Sequence, residues 1–255
     1  MYDAIIGRKW NENDLLNNFN LIGVDKKIYS NTITIIIDMF SKKDEVNKWV
    51  KFINYFDKET MFYFFKWSHI SKNDLLKTNK SAIISNIKNI SKFAGILLAD
   101  ILISNQIFNN YQINLVGFSL GANVIKYCIK ELSIYNNKYN CKDNYVTLKN
   151  VILIGGATHI KHEDKWIKHI KNIIIDRFIN CYSNYDSLLE KFYFKISENV
   201  NKLKKDPIGF DCLELKDDNG VNLVSNFDFS EDNFMQDMYE FEYVSENIFP
   251  KYKDL

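Results

Sequence analysis

Stretches of apolar residues at strand spacing alternate along the chain with stretches at helical spacing. The β-branched run over 32–40 and the aromatic run over 61–67 predict two strands that are buried on both faces. From Ser81 to Ser104 the apolar residues recur with helical period, which predicts a long amphipathic helix. Beyond it, the pattern predicts strands over 113–117, 151–156 and 177–183, alternating with helices over 119–132, 163–171 and 187–196.

This alternation is typical of a mostly parallel sheet whose strands are joined by crossover helices on its faces. No internal repeat and no Gly/Ser or proline-rich linker interrupts it, and 255 residues suit one large domain. We therefore predict a single domain over 1–255 of the α/β class, a three-layer sandwich with a mostly parallel central sheet. Residues 1–30 show no clear period, and weaker patterns predict strands over 210–215 and 221–225 and helices over 43–53 and 244–252.

Composition and charge exclude two classes of protein. Hydrophobic residues make up 46% and charged residues 25%, which is the composition of a globular rather than a disordered chain. A net charge of +1 gives no overall field that would draw the chain to nucleic acid or to an anionic membrane. We therefore predict no nucleic-acid partner.

The cysteines and the apolar stretches predict the cellular compartment. The four cysteines are widely spaced, without a C-x-x-C pair, which favours reduced thiols over disulfides or a zinc site. The most apolar stretch, 94–103, is interrupted by Asp100 and is too short to cross a bilayer. We predict a cytoplasmic protein with no transmembrane segment in this chain, no cofactor and no metal.

The segment 217–246 combines acidic and aromatic residues. It holds nine carboxylates and neither lysine nor arginine, with phenylalanine, tyrosine and methionine interleaved among them. One hypothesis is a lid or a surface that binds a protein partner. The other is a surface excursion that packs onto the core through its aromatic residues, as loops commonly do.

One short motif, Gly117-Phe118-Ser119-Leu120-Gly121, carries candidate chemistry. A G-x-S-x-G between a strand and a helix is typical of the nucleophile elbow, a sharp turn that exposes the serine hydroxyl at the edge of the sheet. The turn needs small neighbours because its backbone is strained. The helix N-terminus also favours the negative charge that develops in acyl transfer. A structural alternative is a tight turn in which the serine only caps the helix. The context favours the elbow, and the predicted fold becomes an α/β-hydrolase-like sandwich.

The sequence around this motif resembles the α/β-hydrolase domain of the transmembrane and coiled-coil domain-containing protein 4 family. The resemblance covers roughly residues 30–195. It rests on LVGFSLGANVIKYCIKEL, on KFAGILLADIL before it, and on FYFFKWSHISKNDLL, where the family has a strand ending in a Lys-Trp pair. It continues through KNVILIGGA and RFINCYSNYDSLL, where the family has a strand, a Tyr-Ser pair and an aspartate. The family's glycine-rich membrane segments are not found in this chain, so the resemblance implies peripheral association with membranes at most.

The resemblance implies a Ser-Asp-His hydrolase that binds an acyl or lipid ester. Ser119 matches the nucleophile, and Asp186 matches the acid that follows the strand over 177–183. Asp186 has a second interpretation of equal weight, because it also begins a helix beside the capping box formed by Ser187 and Glu190.

The oxyanion hole that the resemblance implies has two backbone donors. One is the N–H of Leu120, and the other comes from the loop Asp38–Ser41 and is assigned to Met39. The family has a glycine near Asp38 that this chain lacks, so the second donor departs from the family pattern.

The histidine of such a triad is missing from its usual place. In this fold the order along the chain is serine, acid, histidine, whereas every histidine of this chain precedes Asp186: His69, His159, His162 and His169. The family's histidine begins an H-x-x-Y stretch, and the nearest match puts Glu240 in its place. A carboxylate has a reference pKa of about 4.3 against about 6.5 for imidazole, so it is a weaker base for a hydroxyl proton.

Two of the histidines are candidates for a surrogate base. His159 follows the strand over 151–156 and His69 follows the strand over 61–67, so both are expected at the same edge of the sheet as Ser119. His159 is expected to be nearer in strand order. His159 also begins an H-x-x-H-E cluster, which lacks the further ligand that a metal site needs.

Three functions are compatible with these residues. The missing histidine favours a weakened or inactive serine hydrolase that acts as a binding or scaffolding module. The intact motif favours the alternative, an active serine esterase or lipase in which Ser119 attacks the ester, Asp186 orients a surrogate His159, and Leu120 binds the oxyanion. The third is an acyl-binding protein without turnover. The chemistry leans slightly toward the first.

Overall fold

A seven-stranded sheet forms the centre of the protein in the computed structural model. The residues that the structure describes are 19–24, 31–38, 60–67, 80–104, 108, 110–139, 146–186, 189 and 207–230. The strands are β1 (Asn20–Val24), β2 (Thr32–Ile37), β3 (Met61–Lys66), β4 (Gln112–Phe118), β5 (Leu148–Ile154), β6 (Ile174–Tyr182) and β7 (Val224–Asp228). The helices of the described part are α1 (Lys80–Ser104), α2 (Gly121–Tyr139) and α3 (Glu163–Ile173).

The strands are ordered β1-β3-β2-β4-β5-β6-β7 across the sheet. β1 is antiparallel to β3, and every other neighbouring pair is parallel. The predicted α/β class with a mostly parallel sheet is therefore confirmed. Because the strands from β2 to β7 are parallel, their carboxyl ends meet at one edge, which is where such sheets bind ligands.

The centre of the sheet is buried on both faces. In β2, Ile35 and Ile36 point to opposite faces and are both 0% exposed. The three helices form a layer in which α1 packs against α2 and α2 against α3, while α2 also contacts β2 and β4. Gly95 allows the close crossing of α1 and α2, because a Cβ there would stand 2.3 Å from the carbonyl oxygen of Val124. Within the described ranges, no helix combines the length and the apolarity needed to cross a membrane.

Most elements predicted from the sequence are confirmed, with shifted ends. The helix predicted over 119–132 begins at Gly121 and continues to Tyr139. The predicted helices over 43–53 and 244–252, and nearly all of 187–196, lie outside the described residues.

The weakly patterned regions agree less well with the structure. Residues 1–30 include β1, an edge strand that pairs with one neighbour only and so needs little apolar alternation. Residues 210–215 form a turn and an irregular segment rather than a strand. The strand predicted over 221–225 is present but begins later, as the edge strand β7 over Val224–Asp228 within the segment 217–246, and it pairs in parallel with β6.

The residues before β7, from Asp217 to Val221, form a tight turn. Asp217 Oδ1 accepts hydrogen bonds from the backbone N–H groups of Asn219, at 2.9 Å, and Val221, at 3.0 Å. These bonds, that from Val221 first, hold the pKa of the Asp217 carboxyl below its ordinary value. Part of the acidic composition of this segment is therefore explained by turn formation.

Candidate active site

Ser119 lies in a sharp turn between β4 and α2, named here the Ser119 turn (residues 118–121). β4 ends at Phe118 and α2 begins at Gly121. The φ angle of Ser119 is 51°, in the left-handed region that residues other than glycine rarely adopt. Strain of this kind costs of the order of 1–3 kcal/mol and is retained mostly at functional sites.

The neighbouring strand holds the strained backbone in place. The N–H of Ser119 donates to the carbonyl of Ile154 at 2.9 Å, and the carbonyl of Ser119 accepts the N–H of Ala157 at the same distance. The same carbonyl also accepts the N–H of Ala122 at 3.2 Å. Ser119 is thus fixed on both sides of its peptide plane by β5, by the loop after β5 and by the first turn of α2.

The two glycines of the motif are required by close packing. A Cβ on Gly121 would stand 1.8 Å from the carbonyl oxygen of Ile37, and a Cβ on Gly117 would stand 2.6 Å from Cδ1 of Ile125. Both separations are shorter than van der Waals contact allows. The sequence prediction that small residues must flank Ser119 therefore has a specific structural cause.

The turn presents one candidate oxyanion donor. Among the described residues, none accepts a hydrogen bond from the backbone N–H of Leu120, whereas its carbonyl accepts those of Asn123 and Val124. The side chain of Leu120 is 1% exposed, so it is anchored in the core beside the turn. This amide is therefore held in place with its donor unused, which is what stabilisation of an oxyanion requires.

The loop assigned the second donor begins beside the Ser119 turn. Ile37 at the end of β2 pairs with Gly117, and Asp38 follows it. The carbonyl of Asp38 accepts the indole N–H of Trp67 at 2.6 Å, and both residues are buried. Met39 itself lies outside the described residues, so its predicted role stays a prediction.

Asp186 follows β6 and is 6% exposed. Its Oδ1 accepts the backbone N–H of Leu189 at 2.9 Å, which is the contact of a helix N-cap. This contact supports the capping interpretation. The carboxylate also has a second oxygen, which can accept a hydrogen bond from another partner. β5 lies between β6 and β4, so Asp186 and Ser119 follow strands about 10 Å apart. That separation leaves room for a side chain between them.

The chain after β7 approaches the loop that carries Asp186. The N–H of Phe229 donates to the carbonyl of Tyr182 at 2.8 Å, and Oγ of Ser230 accepts the N–H of Asn184 at 2.9 Å. This loop after the last strand is where the fold places the triad histidine. Here Phe229 is 1% exposed and packs into the interior. Glu240, the residue matched to that histidine from the sequence, lies outside the described residues.

The loop after β5 runs along α2 and carries His159 with it. Thr158 Oγ1 donates to Asn123 Oδ1 at 2.8 Å, and the Nζ of Lys126 donates to the carbonyl of His159. Ala157, Thr158 and His159 therefore meet positions progressively further along α2, away from Ser119. His159 is two residues after Ala157, which binds the carbonyl of Ser119, and its own carbonyl is held by the side chain of Lys126. The Nε2 atom of His159 is shielded from solvent.

The other histidines of the described part have structural settings. His162 is exposed and precedes α3 with a φ angle of 61°. His169 Nδ1 lies 2.8 Å from Oγ of Ser133, joining α3 to α2. Burial, with smaller contributions from Lys130 and Lys165, lowers the pKa of His169. Within the described ranges, no group of three or more potential metal ligands comes together.

A buried polar network lies next to the Ser119 turn, at the first turn of α2. Asn123 Nδ2 donates to Oγ of Ser91 at 2.7 Å, while its Oδ1 accepts the Thr158 hydroxyl. Asn123 stands one helical turn after Ser119, so it joins α1, α2 and the loop after β5 close to the strained residue. The roles of Asn123 and Thr158, and the hydrogen bond from the Trp67 indole to the carbonyl of Asp38, were not predicted from the sequence. Spacing of four residues from Ser119 is the signal by which Asn123 could have been found.

We expect Thr158→Val to destabilise the protein by about 1–3 kcal/mol, because it leaves the buried Asn123 carbonyl without its donor. Urea unfolding of the variant and of wild type measures the difference in unfolding free energy. Thr158→Ser keeps the hydroxyl and is the matched control, expected to lose less than Thr158→Val. Thr158→Val with the stability of wild type would contradict the network, because this substitution removes the hydroxyl and keeps the methyl group.

Sheet order and local geometry together define the class of the protein. In the sheet, β3 lies outside β2, although it follows β2 along the chain. The central strand β4 ends in the strained Ser119 turn, which is followed by α2. This combination of sheet order and serine turn is typical of the α/β-hydrolase fold. The chain belongs to the family of proteins of unknown function DUF726, whose family profile matches residues 74–230.

Named relatives cover only part of this sequence. The chain is 34% identical over 96 residues to the transmembrane and coiled-coil domain-containing protein STS1 of Oryza sativa, which is 38% of this chain and 13% of the relative. It is 37% identical over 97 residues to the probable lipase MIL1 of Saccharomyces cerevisiae, again 38% of this chain but 8% of the relative. A solved lipase-esterase related protein from Clostridium acetobutylicum aligns with a TM-score of 0.44 at 10% identity, over 91% of this chain and 98% of that one.

Proposed function

We propose that the protein binds acyl esters at the Ser119 turn and hydrolyses them slowly, as a serine hydrolase weakened by the loss of its C-terminal histidine. The observation that carries this proposal is the Ser119 turn itself, with a serine held at a φ angle of 51° beside the unused N–H of Leu120. In this proposal the turn is a nucleophile elbow, and the ester carbonyl lies against Leu120. The name of the yeast relative, a probable lipase, agrees with an ester ligand.

The weakness of the proposed catalysis follows from the missing base. Without imidazole, the hydroxyl of Ser119 keeps its proton at neutral pH and is a poor nucleophile. Elsewhere, removal of a triad member leaves residual catalysis about 10³–10⁴-fold above water, from the oxyanion hole and binding alone. A protein of this kind retains ester binding and loses most turnover.

An active esterase is the second candidate, and the retained strain of Ser119 favours it. A left-handed serine costs stability, so a protein that no longer used the hydroxyl would be free to replace it by glycine. In this version Asp186 orients a surrogate histidine, either His159 or His69.

A scaffolding role adds a partner to the same site. The proposed partner surface is the acidic, aromatic segment 217–246, whose first residues form the turn before β7 and β7 itself. The finer family assignment, to the transmembrane and coiled-coil domain-containing protein 4 family, and a cytoplasmic location are part of this proposal. The name of the rice relative supports the former, and the free thiols of Cys128 and Cys181 support the latter.

Labelling with a fluorophosphonate tests the proposal, since the serine oxygen displaces fluoride from phosphorus. We expect a single adduct, mapped by mass spectrometry to Ser119, forming at least about 1000-fold more slowly than on an esterase with a complete triad. Labelling at the rate of that esterase would favour the active alternative, and His159→Ala and His69→Ala would then identify the base. No adduct at all would contradict a hydrolase and leave the acyl-binding and scaffolding versions.

A further inference from the structure

A groove of about 640 Å³ opens between the N-terminal half of α3 and the segment Pro207–Lys216, and none of its described lining residues belongs to the Ser119 turn. Its floor is apolar and largely buried, and it is made by side chains from both walls: Ile160, Ile167, Pro207, Ile208 and Leu213. An apolar floor of this kind is a place where another chain can bury anchor residues.

The wall formed by Pro207–Lys216 is held rigidly although it has no regular secondary structure. The buried Asn180 of β6 donates through Nδ2 to the carbonyls of Ile208, at 3.1 Å, and Asp211, at 3.2 Å. Asn226 of β7 binds both the N–H and the carbonyl of Leu213, at 2.7 and 3.0 Å. The groove is therefore formed in advance, and a ligand would spend little free energy on ordering it.

The rim of the groove is acidic on both walls. Glu163 and Asp164 belong to the first turn of α3, and Asp211 and Glu214 belong to the opposite wall; all are exposed. Among the described residues that line the groove, Lys216 alone is a cation, and its Nζ lies 3.1 Å from Glu214. The whole chain carries a net charge of +1, so this negative potential is local.

We propose that this groove docks a basic, amphipathic peptide segment of a partner protein. Its lysine or arginine side chains pair with the carboxylates of the two walls, and its apolar side chains enter the floor. Exposed charge pairs contribute little each, so the anchors supply most of the affinity and the rim selects the charge and orientation of the segment. The proposal is independent of catalysis at Ser119.

Fluorescence anisotropy tests the proposal on the complete 255-residue chain. The probe is a fluorescein-labelled peptide in which lysines flank two leucines, and its companion carries asparagine in place of both leucines. We expect the leucine peptide to bind more tightly than its companion and to weaken as salt is raised. Asp211→Asn with Glu214→Gln is expected to weaken it about tenfold. Ile167→Ser, at a half-buried position, is expected to weaken it by removing part of the floor.

The matched control removes two carboxylates outside the groove, Asp176→Asn with Glu131→Gln, and is expected to leave the affinity within about twofold. Circular dichroism and thermal unfolding establish that each variant folds. Absence of binding, equal binding of the asparagine peptide, or equal weakening by groove and control variants would overturn the proposal. A self-association of the chain that the groove variant abolishes would assign the groove to a second copy instead.

Discussion

Ser119→Ala is expected to remove fluorophosphonate labelling and all ester turnover that exceeds the background of the buffer. The hydroxyl is the only part of the Ser119 turn that can form the covalent bond, whereas the N–H of Leu120 can only stabilise charge. The measurement compares adduct formation and p-nitrophenyl ester hydrolysis for the variant and wild type. Labelling that persists in Ser119→Ala would place the nucleophile elsewhere and end the proposed function.

Ser119→Gly is the companion variant, because it separates loss of the hydroxyl from relief of strain. Glycine adopts a φ angle near 51° at no steric cost, whereas alanine keeps the penalty of about 1–2 kcal/mol. Both variants are expected to lose labelling, and Ser119→Gly is expected to be the more stable of the two in urea unfolding. Equal stability of the two variants would show that the turn stores no strain, and the argument that the serine is retained for function would fail.

The parts of the fold that were predictable are those where burial dictates residue type. β2 is a central strand whose isoleucines are buried on both faces of the sheet, so its apolar run identifies it. The Ser119 turn was predictable because Gly121 packs against the backbone of Ile37 and Gly117 against the side chain of Ile125, and this close packing leaves a motif of small residues in the sequence. In both cases the surrounding packing permits only one kind of residue at the position.

The edges of the sheet were less predictable for the converse reason. β1 and β7 each have one neighbouring strand and are only partly covered, so neither needs a continuous apolar run. The acidic and polar residues around β7 also form turns, as Asp217 does, so the strand is predicted only weakly and three residues too early, over 221–225. The hydrophobic pattern of a sequence reflects burial, and an edge strand is buried too little to produce a clear pattern.

The supports of the candidate site were missed because they depend on contacts between distant residues. Thr158 and Asn123, or Trp67 and Asp38, are ordinary residue types whose role exists only once the chain has folded. The two interpretations of Asp186 differ in the same way, because one depends on neighbouring residues and the other on distant ones. Its capping contact with Leu189 was predictable from neighbouring residues, whereas its relation to Ser119 depends on the order of β4, β5 and β6.

Gly121→Ala is expected to destabilise the protein by at least about 3 kcal/mol, at the upper end of overpacking. The new methyl group would stand 1.8 Å from the carbonyl oxygen and 2.8 Å from the carbonyl carbon of Ile37. Neither can yield by a side-chain rotation, because both belong to the backbone of a central strand. Thermal unfolding is expected to show a Tm lower by roughly 6–12 °C for a domain of this size. If the variant folds, displacement of α2 should also reduce labelling at Ser119.

Gly23→Ala is the control for this substitution, since it adds the same methyl group in a place that can hold it. A Cβ at Gly23 would lie 3.6 Å from the ring of Tyr63, which is ordinary contact. We expect a change in stability within about 0.5 kcal/mol, as for most surface substitutions. Equal Tm values for Gly121→Ala and wild type would mean that β2 and α2 are further apart than this geometry requires. The Ser119 turn would then not be held by the contact that fixes its position beside the end of β2.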